Sequence, residues 1–231
     1  MDTRWRGSGS TDHCGRLACV ADARTCNSVG MRWFTSDPHF GHANVIAYAG
    51  RPFHDVGLMN AALVTLWNTL VAPDDEVWVL GDLAMGRIEE SLPHAGRLVG
   101  DKHLVLGNHD RPFSDLTRRD DWSERYLTDG GFSELHHGQV DLELTDGTKV
   151  TLCHFPYKGD SRDRDRYVER RPIDDGRWLL HGHVHEKWRQ RGRMINVGVD
   201  AWAGRPISED RVIELIEAGE NDLDRLDWIW P

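Results

Sequence analysis

Five short strings of metal-ligating side chains recur along this chain, and each directly follows an apolar run. Asp37-Pro38-His39 comes after Arg32 to Ser36, Gly81-Asp82 after Val77 to Leu80, and Gly107-Asn108-His109-Asp110 after His103 to Leu106. His154 comes after Lys149 to Cys153, and Gly182-His183-Val184-His185 follows Trp178-Leu179-Leu180. Short apolar runs bounded by turn residues read as buried strands. Strands of open α/β sheets present their functional loops at their C-terminal ends. The chain is therefore constrained to a fold that gathers several strand ends at one edge. The residue types are carboxylates able to bridge, imidazoles and one amide oxygen, with no thiolate, which is the donor set that suits a pair of hard or borderline divalent cations. A single Asp-x-His or Gly-Asn-His string is ordinary loop polarity; five in series are not.

The segments between these strings alternate in character. Met59, Leu63, Leu66 and Leu70 recur at helical spacing over about Val56 to Val71, ended by Pro73-Asp74-Asp75. A second helical stretch is expected over Ile88 to Leu98, interrupted near Pro93. Phe113 to Gly131 reads as less regular. Val140 to Leu144 and Lys149 to Cys153, joined across Thr145-Asp146-Gly147-Thr148, form a hairpin pattern that predicts a second sheet packed on the first. Met194 to Val197 adds a strand, and Val212 to Ile216 an expected edge strand. Residues 1–30 show no periodicity and are expected to be a disordered extension, leaving 31–231 as one catalytic domain. His13, Cys14, Cys19 and Cys26 lie in that extension without paired C-x-x-C spacing, so a zinc site there is disfavoured.

A formal net charge of -10 disfavours a protein held on nucleic acid or an anionic membrane by general electrostatics. Bound cations would offset part of that charge locally, so a nucleic-acid substrate stays open but is not favoured. No apolar stretch approaches the roughly 18 residues of a membrane span, no signal-peptide core precedes the domain, and the body holds only Cys153. A soluble, cytoplasmic protein in a reducing compartment is expected, with no membrane partner.

With its five blocks in order, the chain resembles the calcineurin-like metallophosphoesterase superfamily over roughly residues 31 to 207. The wording Trp33 to Asn44, followed by Arg51-Pro52-Phe53, is similar to small bacterial and phage phosphoesterases. The resemblance implies an α/β fold: a two-sheet β-sandwich flanked by helices in four layers, α/β/β/α. It implies two divalent metal ions, manganese first, with iron or zinc as alternatives. Asp37, His39 and His185 would hold one and Asn108, His154 and His183 the other, with Asp82 bridging. A water between the cations would attack the phosphorus of a phosphodiester or nucleotide-like small molecule. His109 would act as general acid or hydrogen-bond donor at the leaving oxygen. Many relatives orient this histidine with an aspartate three residues after the bridging one; here Met85 stands there, leaving Asp110 or another carboxylate to orient His109.

His42, Asn44 and Arg51 flank the first string and are candidates for binding substrate phosphate. Their bland alternatives are a backbone contact for His42, a helix cap for Asn44 and an ion pair with Asp55 for Arg51. His181 reads as a residue that supports a ligand or simply ends its strand. His54, His94, His103, His136 and His137 read as surface or structural. Lys158 to Arg177 is polar enough for a mobile loop or lid, and Lys187, Arg189, Arg191 and Arg193 for a solvated turn rather than an anion-binding surface. Two functional alternatives remain beside the hydrolase of small phosphate esters: a nuclease acting on polynucleotide, and a non-catalytic scaffold with the same fold.

Overall fold

The structure is a computed structural model that describes residues 30–114 and 119–229. The extension expected over 1–30, with His13 and its three cysteines, lies outside the described residues apart from Gly30.

Two mixed sheets pack face to face. The first, in spatial order, is β10 (Ile207–Ser208), β1 (Arg32–Thr35), β2 (Glu76–Val79), β3 (Asp101–Val105) and β4 (Glu134–His136), with β1 to β4 parallel and β10 antiparallel. The second runs β11 (Asn221–Leu223), β8 (Gln190–Gly192), β9 (Met194–Asn196), β7 (Trp178–His181), β6 (Lys149–Cys153) and β5 (Gln139–Glu143), with β6, β7 and β9 mutually parallel. Strand alternation divides each strand between two cores. Phe34, Trp78 and Val105 meet Val150, Leu152, Leu180 and Ile195 between the sheets. Val77, Val79 and Leu104 point the other way, into a second core shared with the helices.

Those helices include α1 (Ala43–Tyr48), α2 (Val56–Leu70), the short α3 (Ile88–Ser91), α4 (Arg111–Ser114) and α5 (Arg119–Thr128). α2 starts where the Asp55 carboxylate accepts the Leu58 N–H at 2.8 Å. It buries Met59, Leu63 and Trp67, one face of the helix. α3 passes at Pro93 into a 3₁₀ turn over Leu92–Arg97, the interruption expected there. Over the second sheet, Phe155, Tyr157 and Tyr167 from the β6–β7 connection pack with Cys153, Leu179 and Met194 and supply the outer covering.

Two expectations are corrected. Val212 to Ile216 is not an edge strand but the middle of α6 (Glu209–Glu217), which buries Val212 and Leu215 in the inter-sheet core. Ser208 caps it by accepting the Arg211 N–H at 3.3 Å, and Glu209 and Asp210 favour the first turn. The stretch Phe113 to Gly131 contains α5 rather than irregular chain. Among the described residues, no helix is long and apolar enough to cross a membrane.

Candidate metal centre

The loops that leave β1, β2, β3, β6 and β7 converge at one edge of the sandwich, and the backbone of those after β1, β2 and β7 is under strain. Seven non-glycine residues among those described take a positive φ, and five of them are Asp37 (56°), His39 (52°), Asp82 (55°), His183 (70°) and His185 (51°). Left-handed backbone costs a non-glycine residue on the order of 1–3 kcal/mol, and such residues cluster where the surroundings impose them for function. Gly182 allows the closest approach. A Cβ there would collide with Ser36 Oγ and Asp37 Oδ2, so the β7 loop can press onto the β1 loop only as glycine.

The donor atoms face one another. Asp82 Oδ2 lies 3.6 Å from His39 Nε2 and 3.5 Å from His154 Nε2, between two imidazoles that come from different strands. Asp37, His39 and His185 form one group whose donor atoms all lie within 4.8 Å of each other, and Asp37, Asp82 and His154 form another. Asn108 Oδ1 sits 3.3 Å from His154 Nε2, which adds the amide oxygen to the second group. The His183 ring centroid is 5.2 Å from that of His154, and the His39 and His185 rings stack at 5.1 Å.

Five of these donors are aimed by a partner on the far side. His154 Nδ1 is 2.7 Å from the Leu80 carbonyl, which leaves Nε2 turned inward. His185 Nδ1 is 2.8 Å from Asp200 Oδ2, and His183 Nε2 is 3.1 Å from Asp160 Oδ2. Asp37 Oδ2 accepts the His183 N–H at 2.9 Å, and Asp82 Oδ1 accepts the His109 N–H at 2.8 Å. Asp110 accepts the backbone N–H groups of Asp82, Leu83 and Gly107 at 2.8–2.9 Å, pinning the β2 loop to the β3 loop. Its carboxylate is spent on those bonds and on Tyr126, so it does not orient His109. The His109 ring is 42 % exposed, with Nε2 4.0 Å from Asp82 Oδ2.

The electrostatics are those of a site built around positive charge. Burial pushes the Asp82 carboxyl well up, with Asp37 and Asp110 adding to the shift against the pull of His154. Burial holds His39 well below the ordinary imidazole range, and His109 falls to about 4 for the same reason. His185 rises to about 9: burial opposes this, but its bond to Asp200 and the nearby Asp37 prevail. Asp37 Oδ1 and His39 Nε2 are buried with no hydrogen-bond partner. Buried polar atoms left unpaired are costly, and here they belong to the groups best suited to ligate. The residues therefore fit divalent cations bound by oxygen and nitrogen.

Of the phosphate-binding candidates, only His42 borders the cleft, its ring 5.4 Å from that of His39. Asn44 is exposed in α1 and makes no cap, since the N-cap is His42 without a side-chain bond. The Arg51 guanidinium is wholly buried, so it cannot reach a substrate. It binds Asp200 through two nitrogens, at 2.7 and 2.9 Å, and donates to the Asp37 and Pro38 carbonyls at 2.7 and 2.8 Å. Its partner is Asp200 rather than Asp55. Asp200 and Asp160 are supporting residues that no spacing in the sequence reveals, because they meet their histidines only through the fold. His181 is buried, with Nδ1 2.7 Å from the Gly182 carbonyl.

A cleft of about 600 Å³ opens onto this edge. Its floor includes His39, His109 and His185; Val45, Ala49 and Met85 make an apolar wall, and Ser161, Arg162 and Arg166 a polar one. The segment that supplies the polar wall is braced rather than free. Arg166 bonds Asp160 at 2.7 Å, and Arg171 bonds Asp165 at 3.0 Å and the Gly159 carbonyl at 2.9 Å. In the connection after His185, Arg189 lies over the Trp202 ring and Arg191 over Trp188, while Arg193 pairs with Glu220 and Asp174.

No family model matches the chain. The gene 66 protein of Mycobacterium phage L5 is 36% identical over 196 residues, spanning 80% of this chain and 93% of its own length. Its counterpart in phage D29 is 37% identical over 202 residues, 83% and 98% of the two chains. Among solved structures, a protein of unknown function from Aquifex aeolicus aligns with a TM-score of 0.61 at 28% identity, over 80% of this chain and 99% of its own. The identities and near-complete overlap with the phage proteins place this chain in the family of the mycobacteriophage gene 66 proteins.

Proposed function

We propose that the protein is a two-metal phosphoesterase of the calcineurin-like type, hydrolysing a phosphodiester or nucleotide-like small molecule. The observation that carries this reading is Asp82 Oδ2 lying between His39 Nε2 and His154 Nε2 at 3.6 and 3.5 Å, where one carboxylate oxygen would serve two cation positions. Asp37, His39 and His185 would hold one cation and Asn108, His154 and His183 the other. Bound there, two cations supply an activated water and neutralise charge on the phosphoryl oxygens. Mn²⁺ is the first candidate, with iron or zinc next, given mixed imidazole and carboxylate donors.

The chain's own residues do the rest. Asp200 and Asp160 hold the His185 and His183 rings in place, and Arg51 ties Asp200 to the Asp37 and Pro38 carbonyls, so the two sides of the centre cannot drift apart. His109, half exposed at the cleft floor, is placed to give a hydrogen bond to the leaving oxygen. The apolar wall of Val45, Ala49 and Met85 suits an uncharged leaving group, and Arg162 in the polar wall suits a second anionic group, Arg166 being engaged with Asp160.

A small substrate is favoured over a polynucleotide. The net charge is -10, and Arg189, Arg191 and Arg193 are engaged with tryptophan rings or carboxylates. A non-catalytic scaffold is disfavoured because the ligand set and His109 are all present. The test is hydrolysis of a nitrophenyl phosphodiester and the matching monoester by Mn²⁺-loaded protein, with Asp82→Asn as control. Metal-dependent turnover lost in that variant supports the reading, and the ratio of the two rates sets diester against monoester. Folded, metal-loaded protein that turns over neither ester with Mn²⁺, iron or zinc contradicts it.

A further inference from the structure

Strand register gathers a second set of ligating side chains that shares no residue with the Asp82 centre. Trp78 on β2 pairs with His103 on β3, and His103 pairs with Glu134 on β4, so the three form a row across the first sheet. His136 lies two residues beyond Glu134 and therefore projects from the same face. Asp101 lies two residues before His103 and does likewise. β4 is the last strand of its sheet and only three residues long.

The donor atoms converge. Glu134 Oε2 lies 3.9 Å from His103 Nδ1 and 3.6 Å from His136 Nε2, and all three donors fall within 4.8 Å of one another. These separations are too long for hydrogen bonds. His103 Nδ1 and His136 Nε2 are nevertheless enclosed by protein and have no hydrogen-bond partner. Tetrahedral ligation at 2.0–2.1 Å sets donors about 3.4 Å apart, so the two Glu134 contacts need close by only about 0.2–0.5 Å and the two imidazole nitrogens by at most about 1.4 Å. Glu134 is 61 % exposed and can swing to supply it.

The imidazoles are already held. The Trp78 ring stacks on His103 at 4.7 Å and 17°, and lies 5.1 Å from His136. Asp101 Oδ2 is 3.6 Å from His103 Nε2, beyond hydrogen-bond reach, so ring stacking rather than a carboxylate holds this imidazole. Two imidazoles and one carboxylate make a donor set for a borderline transition metal rather than for calcium or magnesium.

We propose that His103, Glu134 and His136 form a separate mononuclear site for one divalent transition-metal ion, Zn²⁺ in the first instance, that fastens the edge strand β4 to β3. The test uses full-length protein stripped with chelator, then dialysed against low free Zn²⁺ and assayed for bound metal by atomic emission. Wild type should hold one Zn²⁺ per chain more than His103→Gln/His136→Gln. That variant should keep its remaining metal and whatever phosphodiester hydrolysis the wild type shows, which separates this site from the Asp82 centre. Glu134→Gln changes only an exposed carboxylate and should weaken the extra site by at least the ~10–100-fold that loss of a mere outer partner costs. Equal Zn²⁺ counts in wild type and the folded double variant overturn the proposal. If the double variant does not fold, unchanged Zn²⁺ affinity in Glu134→Gln overturns it.

Discussion

Replacing Asp200 by Asn should damage the protein twice, once in stability and once in metal binding. The carboxylate is fully buried and faces two partners, the Arg51 guanidinium at 2.7 and 2.9 Å and His185 Nδ1 at 2.8 Å. Burial alone would raise the Asp200 pKa, yet Arg51 and His185 hold it down to about 2, so it is fully ionised at neutral pH. Asparagine keeps the shape but removes the charge, and its amide turns a donor toward Arg51 or His185. Breaking a buried ion pair from one side costs about 3–5 kcal/mol, because the remaining charge is left uncompensated. For a chain of this size about 2–4 °C of Tm accompanies each kcal/mol, so the expected loss is about 6–20 °C. Metal affinity at the His185 side should fall ~10–100-fold as the ring loses its outer carboxylate. Thermal unfolding of the chelator-treated protein reads the first effect, and Mn²⁺ titration at a temperature where both proteins are folded reads the second. Asp200→Asn/Arg51→Met should recover part of the stability, since the stranded charge is gone, but not the metal affinity. A Tm within about 2 °C of wild type together with unchanged Mn²⁺ affinity would refute the reasoning.

Three further outcomes are expected. His109→Asn should lower kcat by ~10²–10⁴-fold while leaving the Mn²⁺ affinity unchanged, as a proton-handling group that is not a ligand would; a parallel loss of metal would make it a ligand instead. Lys102→Met should destabilise by about 2–4 kcal/mol, because Lys102 Nζ donates to the Ala95, Leu98 and Gly130 carbonyls at 2.7–3.1 Å and methionine leaves those acceptors without it; a Tm equal to wild type would contradict this. Metal affinity should tighten as pH rises, since His185, held up to about 9 by Asp200 in the free chain, must shed its proton to ligate. The gain should level off above about pH 9, and calorimetric titrations in buffers of different ionisation heat should register proton release on binding.

The strings of candidate donors were legible because their signal is local: each lies just past an apolar strand, and the strand starts and ends fall within two residues of those expected, β3 starting at Asp101 rather than His103. The second sheet was legible for the same reason, through the alternating hairpin of β5 and β6. α6 was misread because Val212-Ile213-Glu214-Leu215-Ile216 is short and rich in β-branched residues, and that propensity masked the Ser208 cap and the Val212/Leu215 spacing that favour a helix. α5 was missed because its sequence, Arg119 to Thr128, is too polar to show an apolar stripe. The three-residue strands β4, β8 and β11 are too short for any periodic signal.

The supporting residues were illegible for a different reason. Arg51 and Asp200 are 149 positions apart, and His183 and Asp160 are 23 apart, so only the folded chain brings them together. An arginine close in sequence to a phosphate-type motif suggested substrate binding, whereas burial turns its guanidinium to structural use. His103 and His136 likewise read as surface or structural until the register of β3 and β4 set both beside Glu134.

The central claim is that one carboxylate, Asp82, joins two metal positions. Electron paramagnetic resonance of Mn²⁺-loaded protein tests it most directly, because two Mn²⁺ ions sharing a bridging ligand at about 4 Å are magnetically coupled. The account predicts a coupled spectrum that gives way to an uncoupled single-ion pattern in Asp82→Asn. A wild-type spectrum of isolated ions alone, at saturating Mn²⁺, would contradict it.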